Sequence, residues 1–358
     1  MRFVSFVGLG LALWLSACRA EAPGADPVPR LMPQDAGTDV LFIGADAVDA
    51  RTVWLAGTQG TYAWTRDGGA SWTTGVVPGA DTLQFRDVHA VSADTAFLLS
   101  IGPGPASRIY HTTDAGRTWR LSFQNDVPEA FFDCMDFWDA RHGIAFSDAV
   151  DGRFPVIITA DGGRTWQPVS SEALPPALPP ALPGEGSFAA SGTCLTTVGD
   201  RTALFGTAAA ATARVFRTDD RGRTWRVSDT PVVAGETAGL ATLAFRDALH
   251  GVAMGGDLAA PDSFTTNVAV TRDGGRTWRP GTSPPFPGPV YGSAYVPGAS
   301  PPTLIAVGPR GAAFSTDDAA SWMPLDTLEY WSLALAGPEA GWLVGRDGRI
   351  TKVSLPVE

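Results

Sequence analysis

Seven ionisable side chains of this sequence are of types that could do chemistry. Asp148, Asp151 and Arg153 fall within residues 147–155, Glu185 ends a Pro-rich stretch, and Asp257 falls within residues 255–264. Arg108 and Arg214 each stand six residues before a repeated Asp, and Arg153 stands eight before another. In a strand, these even offsets give the three Arg the same parity. Three guanidinium groups on one arc can clamp a carboxylate or phosphate through bidentate hydrogen bonds. They can equally pair with Asp148, Asp151 and Asp257 as ion pairs that fix loops. Paired carboxylates such as Asp148 and Asp257 can do acid–base work on a glycosidic bond when about 5 to 9.5 Å apart. The sequence does not give that distance, and no catalytic motif accompanies these residues.

A second set of acidic residues recurs with the chain. Thr65-Arg66-Asp67-Gly68-Gly69-Ala70-Ser71-Trp72 is repeated around Asp114, Asp161, Asp220 and Asp273, each time closing on Thr-Trp. A sixth copy around Asp317 ends on Ser321-Trp322 and has Ala in place of Gly. The shared rule is Ser/Thr-x-Asp-x-Gly-x-Ser/Thr-Trp. These residue types suit a tight turn. Gly supplies positive φ, the carboxylate accepts N–H groups of its own turn, and the hydroxyl adds a local hydrogen bond. Trp then covers apolar surface between sheets. None of the six matches a calcium loop with alternating acidic ligands and a terminal Glu. Asp67, Asp114, Asp161, Asp220, Asp273 and Asp317 are therefore read as structural. His142 and His250 follow Asp139 and Asp247 in matching turns, and a metal site needs several converging ligands. No metal and no cofactor is expected.

The elements that must position these residues follow from composition and spacing. The chain has 358 residues, 44% hydrophobic and 18% charged, with net charge -11. It is too apolar and Trp-rich for disorder, and its acidic balance argues against a nucleic-acid partner, which needs a basic footprint. Forty-one Gly and 29 Pro without a three-residue period exclude collagen and favour short strands joined by turns. The repeated Asp residues are 47, 47, 59, 53 and 44 residues apart (67, 114, 161, 220, 273, 317). Four short strands fit each interval. Val53-Trp54-Leu55-Ala56 and Leu304-Ile305-Ala306-Val307 are apolar at consecutive positions, as in strands covered on both faces.

The repeated octapeptide resembles the Asp-box, or BNR repeat, of sialidase-like β-propellers. The resemblance implies an all-β, seven-bladed β-propeller with four-stranded blades, spanning residues 34–358 as one domain. Tyr330–Ala336, Gly341–Gly345 and Arg349–Val353 read as three strands of a seventh blade. An extended segment near residues 29–34 is predicted to supply its fourth strand and close the ring, which leaves no open edge. Within this superfamily the chain is most similar to single-propeller proteins grouped with photosystem II stability and assembly factors. That resemblance implies a binding scaffold for an unknown protein or carbohydrate ligand. The long second-to-third-strand loops of blades two to five, with the linker 170–186, fall on one arc of one face. Arg108, Asp148, Asp151, Arg153, Arg214 and Asp257 are the binding candidates there. The alternative is a glycoside hydrolase. The Arg-Ile-Pro motif of sialidases is absent, and Arg153-Phe154-Pro155 lies in the wrong blade.

The N-terminus carries an address. A single basic residue, Arg2, precedes an apolar stretch from Phe3 to Leu15. That stretch is shorter than the roughly 20 residues of a membrane span and has the length of a signal-peptide core. Leu15-Ser16-Ala17-Cys18 then resembles a bacterial lipobox. The resemblance implies a signal peptide over residues 1–17, acylation of Cys18, a tether over 18–33, and a lipid membrane as one partner. Arg19 in place of Asp implies the outer membrane, facing the periplasm, over inner-membrane retention. Cys134 and Cys194 lie on the first strands of adjacent predicted blades. An oxidising compartment allows a disulfide between them, and two buried thiols fit the spacing equally well.

Overall fold

The computed structural model describes residues 29–169 and 178–355. The predicted signal peptide, Cys18 and the tether up to residue 28 lie outside the described residues, as does part of the 170–186 linker. Seven four-stranded antiparallel sheets are arranged as the blades of one propeller. Blade one is Phe42–Ala47, Val53–Gly57, Thr61–Thr65 and Thr73–Val76. The first strands of the next five blades are Phe85–Ala90, Phe132–Phe137, Leu195–Val198, Ala238–Phe245 and Gly292–Tyr295. First strands of neighbouring blades meet one another and so surround the axis.

Blade seven is built from both ends of the chain. Ser332–Gly337, Ala340–Val344 and Ile350–Ser354 are followed outward by Arg30–Gln34. Arg30 pairs with Ser354 and Gln34 with Ile350. The N-terminal strand thus closes the ring, as predicted from the spare extended segment near residues 29–34. Its outer position is consistent with its mixed burial, whereas second strands such as Val53–Gly57 and Leu304–Gly308 are buried along their whole length.

All six repeated turns join third to fourth strands and share one hydrogen-bond network. In the first copy the Thr65 hydroxyl donates to Asp67 Oδ1 at 2.8 Å and accepts the Gly69 N–H at 2.9 Å. Asp67 Oδ1 accepts the Ser71 N–H and Oδ2 accepts its hydroxyl at 2.6 Å. The sixth copy reproduces this around Asp317 with Ser315 and Ser321. There Asp318 and Ala319 take φ of 56° and 61°, values that Gly occupies in other copies. The turns lie beside the first-to-second-strand turns, since Gly68 N–H donates to Arg51 and Gly162 N–H to Arg141.

The Trp closing each turn enters the apolar layer shared with the preceding blade. Trp119 packs on Trp54 and Tyr62 of blade one, with centroids 6.2 and 5.0 Å apart. Trp166 meets Phe137 in a layer with Phe97 and Leu99, and Trp225 meets Phe205 in a layer with Phe146. The core is therefore a series of inter-blade layers. The recurrent His residues stay inside their turns: His142 Nδ1 lies 2.9 Å from Asp139, and His250 Nδ1 2.9 Å from Asp247. Among the described residues no helix is long and apolar enough to cross a membrane.

Candidate functional site at the loop-rich mouth of the channel

The face opposite the repeated turns carries the long loops. Four first strands begin there with a β-bulge, and the bulged residues are Ile43, Arg86, Asp133 and Ala241. A bulge breaks the alternation of a strand and re-aims one side chain. In blades two and three the residues so placed are the basic Arg86 and the acidic Asp133. Asp133 is fully buried, and neither of its oxygens meets a donor among the described residues. Burial drives its carboxyl well above the usual range and the Asp148 charge adds to this, while the nearby Asp148 N–H and then Arg86 oppose.

The chain leading into blade four crosses this mouth. Arg86 donates from Nη1 to the Ala189 carbonyl at 2.9 Å. The Ser191 hydroxyl donates to the Tyr291 carbonyl at 2.7 Å, and the Ser332 hydroxyl donates to the Ser191 carbonyl at 2.9 Å. Residues 189–191 are thereby tied to blades two, six and seven. Asp148 anchors the start of this crossing by accepting the Ser187 N–H at 2.7 Å. Desolvation lifts the Asp148 carboxyl to about 6, and the Ser187 bond opposes the rise.

Beside the crossing lies a cluster of arginines and aromatic rings. Arg86 and Arg346 both stand over the Trp331 ring, 5.5 and 5.9 Å from its centroid. Tyr291 packs on Trp331 at 4.8 Å. Burial pushes the Tyr291 phenol up and Glu329 adds to this, while Arg346, Arg86 and Arg310 hold it down. Arg346 pairs with Glu329 and Arg310 with Asp262, both at the surface. The group comes from blades two, six and seven, with sequence numbers from 86 to 346. It can present cationic, planar donors and apolar ring faces to an incoming segment.

The residues singled out from the sequence are dispersed. Arg108, Arg153 and Arg214 do not form a common clamp. Arg214 is buried and makes a bidentate pair with Glu185, with Nε 2.8 Å from Oε1. Arg108 donates to the Pro105 carbonyl and the Tyr110 hydroxyl. Arg153 is exposed in a separate peripheral cleft. The ion pairs expected with Asp148, Asp151 and Asp257 are likewise replaced. Glu185 takes Arg214, Asp148 takes a backbone N–H, and Asp257 accepts the Thr237 hydroxyl and the Ala259 N–H. Asp151 occupies a loop tip at φ 50°. Parity along a strand placed Arg108 and Arg214 at matching positions, but loop partners decide where a guanidinium ends.

Asp148 and Glu185 do share a cleft of about 550 Å³ with Glu129 on this face. Glu185 is fixed in it by Arg214 and by the Thr207 hydroxyl at 2.6 Å. Sequence reasoning missed Arg86, Tyr291, Arg310, Trp331 and Arg346. Their shared signal is position: Arg86, Tyr291 and Trp331 flank the starts of first strands, and Arg310 and Arg346 sit between second and third strands. Finally, the structure joins Cys134 to Cys194 by a disulfide, with Cα atoms 6.0 Å apart.

No protein-family model and no curated protein sequence matches the chain. Solved structures do. A YCF48 bound to D1 peptide superposes with a TM-score of 0.60 at 15% identity, over 94% of this chain and 99% of that one. YCF48 from Cyanidioschyzon merolae gives 0.62 at 13% identity, over 90% and 98%. The GH74 enzyme of Niastella koreensis gives 0.57 at 11% identity over 90% of this chain, which spans only 44% of that enzyme. At such identities these likenesses establish the seven-bladed fold and nothing finer.

Proposed function

We propose that the chain is a scaffold that binds a protein partner at the loop-rich mouth. The observation that carries this reading is the convergence of Arg86 and Arg346 on Trp331, on which Tyr291 packs, with the Arg310 charge acting on the same phenol. Planar cations beside ring faces suit an acidic or carboxylate-bearing peptide segment, and Trp, Tyr and Arg are the residue types that dominate binding hot spots. Support comes from the structural likeness to a YCF48 bound to D1 peptide. The repeated turns fit assignment to the Asp-box, or BNR, superfamily, and the lipobox-like Leu15–Cys18 fits a lipoprotein of the bacterial cell envelope, held at the outer membrane.

The test is capture of partners from membranes by the acylated chain, compared with an Arg310→Glu/Arg346→Glu variant. Both side chains are exposed, so the fold should survive. Loss of a reproducible partner in the variant supports the reading, and undiminished capture sinks it. A parallel Cys18→Ala change should release the protein into the soluble fraction, and retention refutes the anchor.

One observation favours the glycosidase alternative. Asp148, with its carboxyl near 6, shares an acidic cleft with Glu185 and Glu129. A carboxyl that holds its proton near neutrality has the property of a general acid. Turnover of a glycoside that disappears in Asp148→Asn would establish this second reading.

A further inference from the structure

A second cleft, of about 570 Å³, lies outside both the channel mouth and the acidic cleft. That volume is in the range of small-molecule sites. It runs along the outer side of blade three, whose fourth strand is only Gln167–Pro168. Its walls include Phe123 and Val127 from the end of blade two, Phe154 and Val156 from blade three, and Trp225 from the repeated turn of blade four. Val169 and Leu178, which also line it, flank the segment outside the described residues.

Among the described residues the walls are mainly hydrocarbon, and several of the polar groups near them are already bonded to one another. The Val156 carbonyl accepts the Val169 N–H, the Pro155 carbonyl accepts the Ser147 N–H, and Val150 and Arg153 exchange both of their backbone bonds. The Asn125 amide donates to the Gly104, Val127 and Ala130 carbonyls and accepts the Val127 N–H. Trp225 Nε1 donates to Gly222. A peptide lying here would bury N–H and C=O groups without partners, which is costly. A hydrocarbon chain carries no such groups and gains from burial.

The rim supplies the charge. Arg153 and Arg223 are exposed at the cleft, and neither guanidinium has a hydrogen-bond or ion-pair partner among the described residues. Among the described residues Asp126 is the one carboxylate on the same lining, against the two Arg. We infer that this cleft binds a long-chain acyl carboxylate, with the chain between Phe123, Phe154 and Trp225 and the carboxylate at the arginine rim. The inference is independent of the peptide-binding reading of the channel mouth.

Equilibrium dialysis of radiolabelled palmitate, below its micellar range, against the purified full chain tests it. Saturable binding at one site per chain is expected. Unlabelled palmitate should compete well, 1-hexadecanol less well, and octanoate poorly. Arg153→Glu/Arg223→Glu should weaken binding at least about fivefold, the order expected for lost exposed charge pairs turned repulsive. Val127→Trp, a change at an exposed wall residue, should block the cleft with the melting curve unchanged. Absence of saturable binding overturns the proposal. So does equal binding by the parent and both variants, and so does equal competition by hexadecanol and palmitate.

Discussion

Trp342 donates its indole N–H to the Gln34 side-chain oxygen at 3.2 Å, although the two residues are 308 positions apart. The same Gln34 amide donates to the Gly68 carbonyl in the first repeated turn. One side chain therefore ties the last blade to the first. Removing it deletes two part-buried hydrogen bonds, each worth about 1 kcal/mol net. Gln34→Ala is expected to lower stability by about 1–2 kcal/mol, measured as a drop in the melting midpoint. A Gln34→Ala protein that melts with the parent would show that strand pairing alone closes the ring.

The sixth repeated turn holds Ala319 at φ 61°, where a side chain is strained. Ala319→Gly should stabilise the protein by up to about 1 kcal/mol. Gly163→Ala should do the reverse. Its φ is 68°, and a Cβ there would stand 2.2 Å from the Phe97 ring. A loss of roughly 2 kcal/mol or more is expected. Paired denaturant titrations check both signs.

Asp148 gives a pH dependence of definite sign. Its folded-state value of about 6 lies above the ordinary 3.8, so the folded chain holds this proton more tightly than the unfolded chain. Stability from this group grows as pH falls from about 6 towards 3.8 and is lost as pH rises through 6. Asp148→Asn keeps an acceptor for the Ser187 N–H and removes the titration. Above pH 7 the variant should be the more stable by on the order of 1–3 kcal/mol, with the gap closing near pH 4. A constant gap across that window would refute the assignment.

The Cys134–Cys194 bond closes a loop with a sequence separation of 60 between the first strands of blades three and four. Chain-entropy arguments value such a cross-link at about 4 kcal/mol. Cys134→Ser/Cys194→Ser should lower the melting midpoint, and dithiothreitol should do the same to the parent and leave the variant unaffected. Thiol labelling of the denatured, unreduced chain that reports these two cysteines as free would contradict the bond.

Much of the architecture is legible in the sequence. The octapeptide recurs because six of the seven blades need the same short connection, and a side chain that accepts its own turn's N–H groups meets that need locally. Asp67 shows the consequence: the Ser71 hydroxyl and N–H and the Thr65 hydroxyl hold its carboxylate down to about 2. Such bonds reach only four residues along the chain, so spacing reveals them. Six copies mark six blades, and the strands read in residues 330–353 add a seventh that carries no copy and needs a closing strand.

The site was not legible in that way. Arg108 and Arg214 match in register, yet Glu185 buries one guanidinium and leaves the other on Pro105 and Tyr110. Arg86, Arg346, Tyr291 and Trp331 come together only because a ring brings its second blade near its sixth and seventh. By itself the sequence determined the repeated turn and the strands it joins, because those rest on contacts a few residues apart. Tertiary structure alone decided which charges meet, which carboxyls lose their water, and that Cys134 reaches Cys194, because closure sets distances between residues that sequence separation leaves unrelated.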